Sequence, residues 1–224
     1  MLYPIDPLRI TDFERNDFSL QSFFLFAVAV AGKPSGITAE KINSMVESFM
    51  ESWVENPAYQ EGDLEVPDGP LRHLIDLTTE CIWWDDVSPA GRNLRHAKLG
   101  KYQQWDKLLE WFGAEVRDVN HFLRTATLKQ LLEVPGVGDK TARFFLLHSR
   151  KDEKVVPLDT HILKFVGKTF PDCPKVTPRG RAYGFWEGRA KHLFKREMDK
   201  NGYNNFAEVD LAIWKSFSLN GRTL

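Results

Sequence analysis

The chain has 224 residues, with 30 Lys and Arg against 31 Asp and Glu and a net charge of −1. That length suits one large domain or two small lobes, and 42% hydrophobic residues with seven Trp exclude a disordered chain. Cys81 and Cys173 are the only cysteines, which excludes a disulfide framework and a four-cysteine iron–sulfur cluster and suits a reducing interior.

Residues 1–16 read as an irregular lead containing Pro4 and Pro7. The first apolar run, Phe23 to Ala31, comes too late for a signal peptide and lacks a cleavage pattern, so a cytoplasmic location is expected. Nine apolar residues are also far short of the roughly 20 that span a bilayer. The run predicts a buried helix starting near Asp17 or Ser19 and stopping at Gly32-Lys33-Pro34-Ser35-Gly36. Thr38 then caps a second helix, with Ile42, Met45, Val46 and Phe49 on its inner face. Residues 56–70 read as a polar connector, followed by a helix from about Pro70 to Cys81. Trp83-Trp84-Asp85-Asp86 ends it before a Ser-Pro-Ala-Gly loop. Two Trp beside two Asp suit a stacking wall with polar hooks, or plain core anchors at a helix stop. Helices are predicted near 97–113, 117–124, 127–133, 179–200 and 205–217, the last opened by Asn205 with Glu208. No strand pattern, internal repeat or low-complexity segment interrupts them. The expected fold class is all-α.

The richest stretch is Leu131 to Ile162. Thr127 with Gln130 makes a capping-box start, and Pro135-Gly136-Val137-Gly138 must end that helix. A new helix restarts near Asp139 with Ala142, Phe145 and Leu146 on one face. The turn between is short and glycine-lined, and its amides at a helix N-terminus form an anion site, with Lys140 beside them. This design grips a DNA phosphate without reading sequence. Asp159 opens the next helix, Thr160-His161-Ile162, and an N-cap is one use of an Asp there. From Lys140 to Lys200 there are 15 Lys and Arg against 7 Asp and Glu, while Glu51 to Glu80 holds eight acids and one base, Arg72. A DNA-facing basic half is therefore compatible with a net charge near zero.

Pro135-Gly136-Val137-Gly138, Lys140-Thr141-Ala142, then Pro157 and Asp159-Thr160-His161 nineteen residues after Lys140 resemble the helix-hairpin-helix Gly/Pro-Asp superfamily of DNA glycosylases. The resemblance covers about 35 residues. It implies two helical lobes, approximately 36–135 and 136–224, with residues 1–35 returning to pack on the second and a site in the cleft. It implies Asp159 as the essential acid of a flipped-base site and Lys140 as the Schiff-base nucleophile of strand-nicking members. Pro135, Gly136, Val137, Gly138 and Thr141 would hold DNA, and His161 would line the pocket in a structural more than a catalytic role. Lys140 also reads as a phosphate contact or a solvated helix residue.

Three features depart from the endonuclease III pattern. Ala31-Gly32-Lys33 stands where a polar wedge with Gln is usual, the cluster cysteines are missing, and an acidic Trp-rich segment precedes the hairpin. The combination looks like a branch found in phages with hypermodified thymine, the amino acid:DNA transferases or thymine pyrophosphorylases. In that reading Lys33 holds a leaving phosphate, Asp159 activates an amine, and Trp83, Trp84 and Asp85 wall the pocket. The alternatives are a base-excision glycosylase with lyase activity, using Lys140 as nucleophile, and a non-catalytic DNA-binding module. The expected partners are double-stranded DNA with a modified base and a free amino acid or polyamine, with no membrane. A monomer is expected. No His/Cys ligand spacing is visible, so no metal or other cofactor is expected.

Overall fold

The computed structural model describes residues 4–30, 32–61, 66–79 and 89–219, and among these residues the secondary structure is entirely helical. No helix among them is long and apolar enough to cross a membrane. The chain divides into two compact units. The first comprises Arg15–Val137 with the short lead through Pro7, and the second comprises Leu8–Glu14 with the chain from Gly138 onward. The break at 137/138 lies two residues from the expected 135/136. Of the segment 1–35, expected with the second lobe, only Leu8–Glu14 groups there.

In the first unit α1 (Asp17–Ala29) is buried on nearly every side, as the continuous apolar run predicts. Asn16 caps it, its side chain accepting from the Ser19 amide at 2.8 Å. Next comes α2 (Ser35–Glu55), which buries Ile42, Met45, Val46 and Phe49 as expected. Thr38 is not its cap. The helix begins at Ser35, and the Thr38 hydroxyl bonds back to the Pro34 carbonyl at 2.8 Å, a local use open to any Thr one turn inside a helix. The expected connector contains one helical turn, α3 (Pro57–Gln60).

Then α4 (Pro70–Thr79) follows. It is fastened to α1 by Gln21, which has no exposed surface. Gln21 Oε1 accepts from the Arg72 amide at 2.9 Å, and its Nε2 donates to Asp68 and Asn120 at 3.2 and 2.7 Å. A side chain of one helix thus caps the next.

Pro89 opens α5 (Pro89–His96) where the sequence suggested a loop, a position at which Pro fits the first helical turn. The helix expected over 97–113 starts later, as α6 (Tyr102–Glu115). Lys98, Gly100 and Lys101 have φ of 52°, 68° and 55°, a left-handed path that no α-helix follows. The unit ends with α7 (Val119–Thr125), capped by Asp118, and α8 (Leu128–Glu133), whose Thr127–Gln130 capping box is present in both directions. Phe23, Phe24, Leu71, Leu74, Leu94 and Phe112 fill its core.

The second unit contains α9 (Asp139–Ser149), α10 (Thr160–Gly167), α11 (Arg181–Asn201) and α12 (Phe206–Leu219). Its core joins Val156, Leu158, Ile162 and Val166 to Tyr183, Phe194, Phe206 and Ile213. Asn205 opens α12 as expected, its Oδ1 accepting from the Glu208 amide at 3.0 Å. The last helix, α12, packs on α9, α10 and α11.

Candidate active site and anion-binding turn

The turn after α8 leaves the helix through Val134, whose carbonyl accepts from the Val137 amide at 3.1 Å. Gly136 has φ of +82°, a left-handed conformation that suits glycine. Gly138 does not share that need. Its φ and ψ of −96° and 177° are open to any residue, and it serves as the N-cap of α9 without a side-chain cap. Ala142 is the first amide to bond within α9, to the Gly138 carbonyl at 3.0 Å. The amides of Asp139, Lys140 and Thr141 therefore open the helix without intrahelical acceptors. Lys140 is half-buried and forms no ion pair among the described residues. Val137 and Thr141 are buried, so their side chains pack while their backbone carries the turn.

Asp159 is the N-cap of α10. Its Oδ1 accepts from the amides of His161 and Ile162, both at 2.8 Å, and its other oxygen has no hydrogen-bond partner among the described residues. The cap and the catalytic readings of Asp159 are thus compatible: one oxygen locks the rotamer and the other is left over. His161 lies over Phe217, with ring centroids 6.1 Å apart, and its buried Nδ1 has no hydrogen-bond partner. Lys168 covers the same Phe217 ring at 4.8 Å.

What aims Asp159 is a buried network on α9 and α11 that spacing alone does not reveal. Arg143 donates to Glu187 at 2.8 Å and to Asp139 at 2.8 Å, and its guanidinium lies 4.3 Å from the centre of the Tyr183 ring. Glu187 accepts from the Val156 amide at 3.1 Å and pairs with Lys191 at 3.1 Å. The Tyr183 hydroxyl donates to the Val156 carbonyl at 3.1 Å and accepts from the Leu158 amide at 2.8 Å, while burial pushes its phenol well above the usual range. Thr177 closes the segment by donating to the Leu158 carbonyl at 2.8 Å. The extended strip 156–158 has no sheet partner, so these side chains satisfy its backbone and hold the residue that follows.

Another acid that spacing did not indicate is Asp210, in the second turn of α12. Its Oδ2 lies 3.1 Å from His148 Nε2, and His148 Nδ1 lies 2.7 Å from the Thr11 hydroxyl. Burial pushes the Asp210 carboxyl up, the bond and charge of His148 pull it down, Asp159 pushes it up and Lys140 pulls it down. Asp210 therefore stands within electrostatic reach of both sequence-predicted catalytic residues. The only signal in the sequence was an acid inside an otherwise apolar helix face.

Lys33 belongs to the first unit. Its ammonium donates to the Leu99 carbonyl, and Lys41 donates to the neighbouring Lys98 carbonyl at 2.9 Å. Burial and the charges of Lys101 and Lys41 hold the Lys33 ammonium below the usual lysine range. The loop 97–101 is thus a collar of carbonyls around which lysines collect. Trp83, Trp84 and Asp85 lie outside the described residues. Cys173 is a half-buried free thiol, pushed up by burial and by Asp172.

No family model, curated protein or solved structure matches the chain.

Proposed function

We propose that the chain is a DNA-modifying enzyme acting on a modified thymine-class base turned out of the duplex. Its reaction replaces a phosphate or pyrophosphate on the 5-methylene carbon of 5-hydroxymethyluracil with an amine or amino acid. The amine nitrogen forms a bond to that carbon, the carbon–oxygen bond breaks, and its electron pair leaves with the phosphate. The ammonium proton must pass to a carboxylate for the nitrogen to attack. The observation that carries the reading is the head of the second unit. There α9, with a cap-free N-terminus and Lys140, and α10, capped by Asp159 with one oxygen fixed and the other unengaged, both pack on α12. Amides and Lys140 suit a DNA phosphate, and the carboxylate suits amine activation or a developing positive charge. Turning the base out costs a few kcal/mol, offset by phosphate contacts and stacking.

A second reading is a base-excision glycosylase with lyase activity. Lys140, half-buried and without an ion pair, favours it as an amine for attack on the sugar C1′. A nucleoside digest with mass spectrometry separates the two. Duplexes carrying 5-hydroxymethyluracil, its phosphorylated forms and common damaged bases are incubated with amino acids and polyamines. A heavier, amine-bearing thymidine with its sugar bond intact supports the transferase. Free base with an abasic or nicked strand, and a borohydride-trapped adduct lost in Lys140→Ala, supports the glycosylase. Wild-type and Asp159→Asn proteins that bind DNA equally and leave every substrate unchanged would reduce the chain to a binding module.

A further inference from the structure

Two carboxyl groups of the second unit, on helices that pack together, differ in their surroundings. Asp159 has one oxygen clamped by two amides at a helix start. Asp210 is 8% exposed, one helix away, and its only hydrogen-bond partner among the described residues is an imidazole. That imidazole, His148, has no exposed surface and is held from behind by Thr11. Burying a Thr–His–Asp chain in a helical core is costly, and apolar side chains would pack the same helices at lower cost. The chain's position supplies a reason for it: α12 packs on α9 and α10, and the carboxyl at its end feels both Lys140 and Asp159.

We propose that Asp210 is the proton-accepting group of this site and that His148, braced by Thr11, positions its carboxyl. The chemistry rests on the amine-using reading given above; the placement of Asp210 rests on its bond to His148 of α9 and on the packing of α12 against α9 and α10. An incoming ammonium gives one proton to an Asp210 oxygen while the N–H electron pair stays on nitrogen. The freed pair forms the bond to the methylene carbon as the phosphate leaves. In the glycosylase reading the same transfer frees Lys140 Nζ for attack on C1′. Asp159, with its oxygen clamped, remains the charge that faces the reacting centre. Environments that differ in this way separate the roles of two acids in one site.

The groups that bear on Asp210 are His148 and Lys140 from α9 and Asp159 from the cap of α10. From the 8–14 segment, Thr11 reaches the far side of the same imidazole. Glu208 and Lys215 lie on α12 itself, and α11 adds no charge to the set among the described residues. Asp210 accepts a proton only as a carboxylate. Burial raises its folded value, so activity falls on acidification at a pH above the ordinary carboxylate range.

The test is a carbon-13 carboxyl NMR titration of the full chain, with Asp210→Asn assigning the resonance and Asp210→Glu replacing it if that variant fails to fold. The Asp210 midpoint is expected above ordinary aspartates, lower in Asp159→Asn and higher in Lys140→Met, with His148 imidazole signals moving in the same titration. A midpoint in the ordinary range, or one unmoved by both variants, would overturn the coupling and leave a structural pair. With the digest assay in hand, Asp210→Asn should lower kcat by roughly a hundredfold with a small change in KM and remove the acid limb. An active chain whose Asp210→Asn variant keeps the wild-type pH profile overturns this inference alone. A chain inert on every substrate overturns both the amine reading and the proton-accepting role.

Discussion

At the scale of single residues, Asp159 shows why a cap and a catalytic group must be tested apart. Asn caps a helix about as well as Asp, whereas Ala costs about 1 kcal/mol. Asp159→Asn should therefore keep the wild-type melting temperature and lose turnover, and Asp159→Ala should lose both. Equal turnover in wild type and Asp159→Asn would return the residue to a purely structural role. The His73 ring carries a separate prediction. It is buried against Trp53 and Phe49, and its Nδ1 accepts from the Trp53 indole at 3.3 Å, which requires the neutral ring. Burial lowers its folded value below 6.5, with Asp76 opposing in part. The unfolded chain thus binds the proton more readily, and stability should fall as pH drops through about 6.5 toward the folded value. Urea midpoints between pH 5 and 7.5 should show this slope in wild type and a reduced slope in His73→Gln; identical slopes would exclude His73 as its source.

At the scale of elements, what positions the site is side chains that satisfy backbone outside the helices. Tyr183→Phe leaves the Val156 carbonyl without its hydroxyl donor and the Leu158 amide without its acceptor in the core, a cost of about 1–3 kcal/mol. Thermal unfolding should show that loss, together with weaker activity because Asp159 follows directly on the strip. Gly138 offers a sharper separation. A Cβ there meets no atom within 4 Å, and its backbone is ordinary. Gly138→Ser should gain a few tenths of a kcal/mol as a better cap and, on the proposed function, weaken DNA binding, because its hydroxyl would take an amide assigned there to phosphate. A variant that gains stability and binds DNA as before would place the phosphate elsewhere. Helix faces were legible in the sequence because apolar spacing follows burial: Ile42, Met45, Val46 and Phe49, and later Ala142, Phe145 and Leu146, are all buried. The left-handed turn at Lys98–Lys101 was not, since two of its three positive-φ residues are lysines and local composition carries no sign of that geometry. Nor was the Arg143–Glu187–Tyr183 network or Asp210 legible. Their meaning lies in contacts 25 to 62 residues apart, whereas Lys140 and Asp159 are candidates drawn from a local motif.

For the molecule as a whole, charge is arranged rather than accumulated. A net charge of −1 gives no general attraction to DNA, so the proposed binding rests on the basic stretch of the second unit. Contacts of that kind release counterions, and log K should fall linearly with log salt, by about 0.9 per phosphate neutralised. Lys140→Gln removes one such contact if Lys140 grips a phosphate, so the slope should shrink by about one with the same loss on every duplex sequence. Should Lys140 act only as a covalent nucleophile, the slope would remain while borohydride trapping disappears. Measuring both on one variant assigns Lys140 to the grip or to the chemistry, because the salt slope counts phosphates and the trapped adduct counts amine attack.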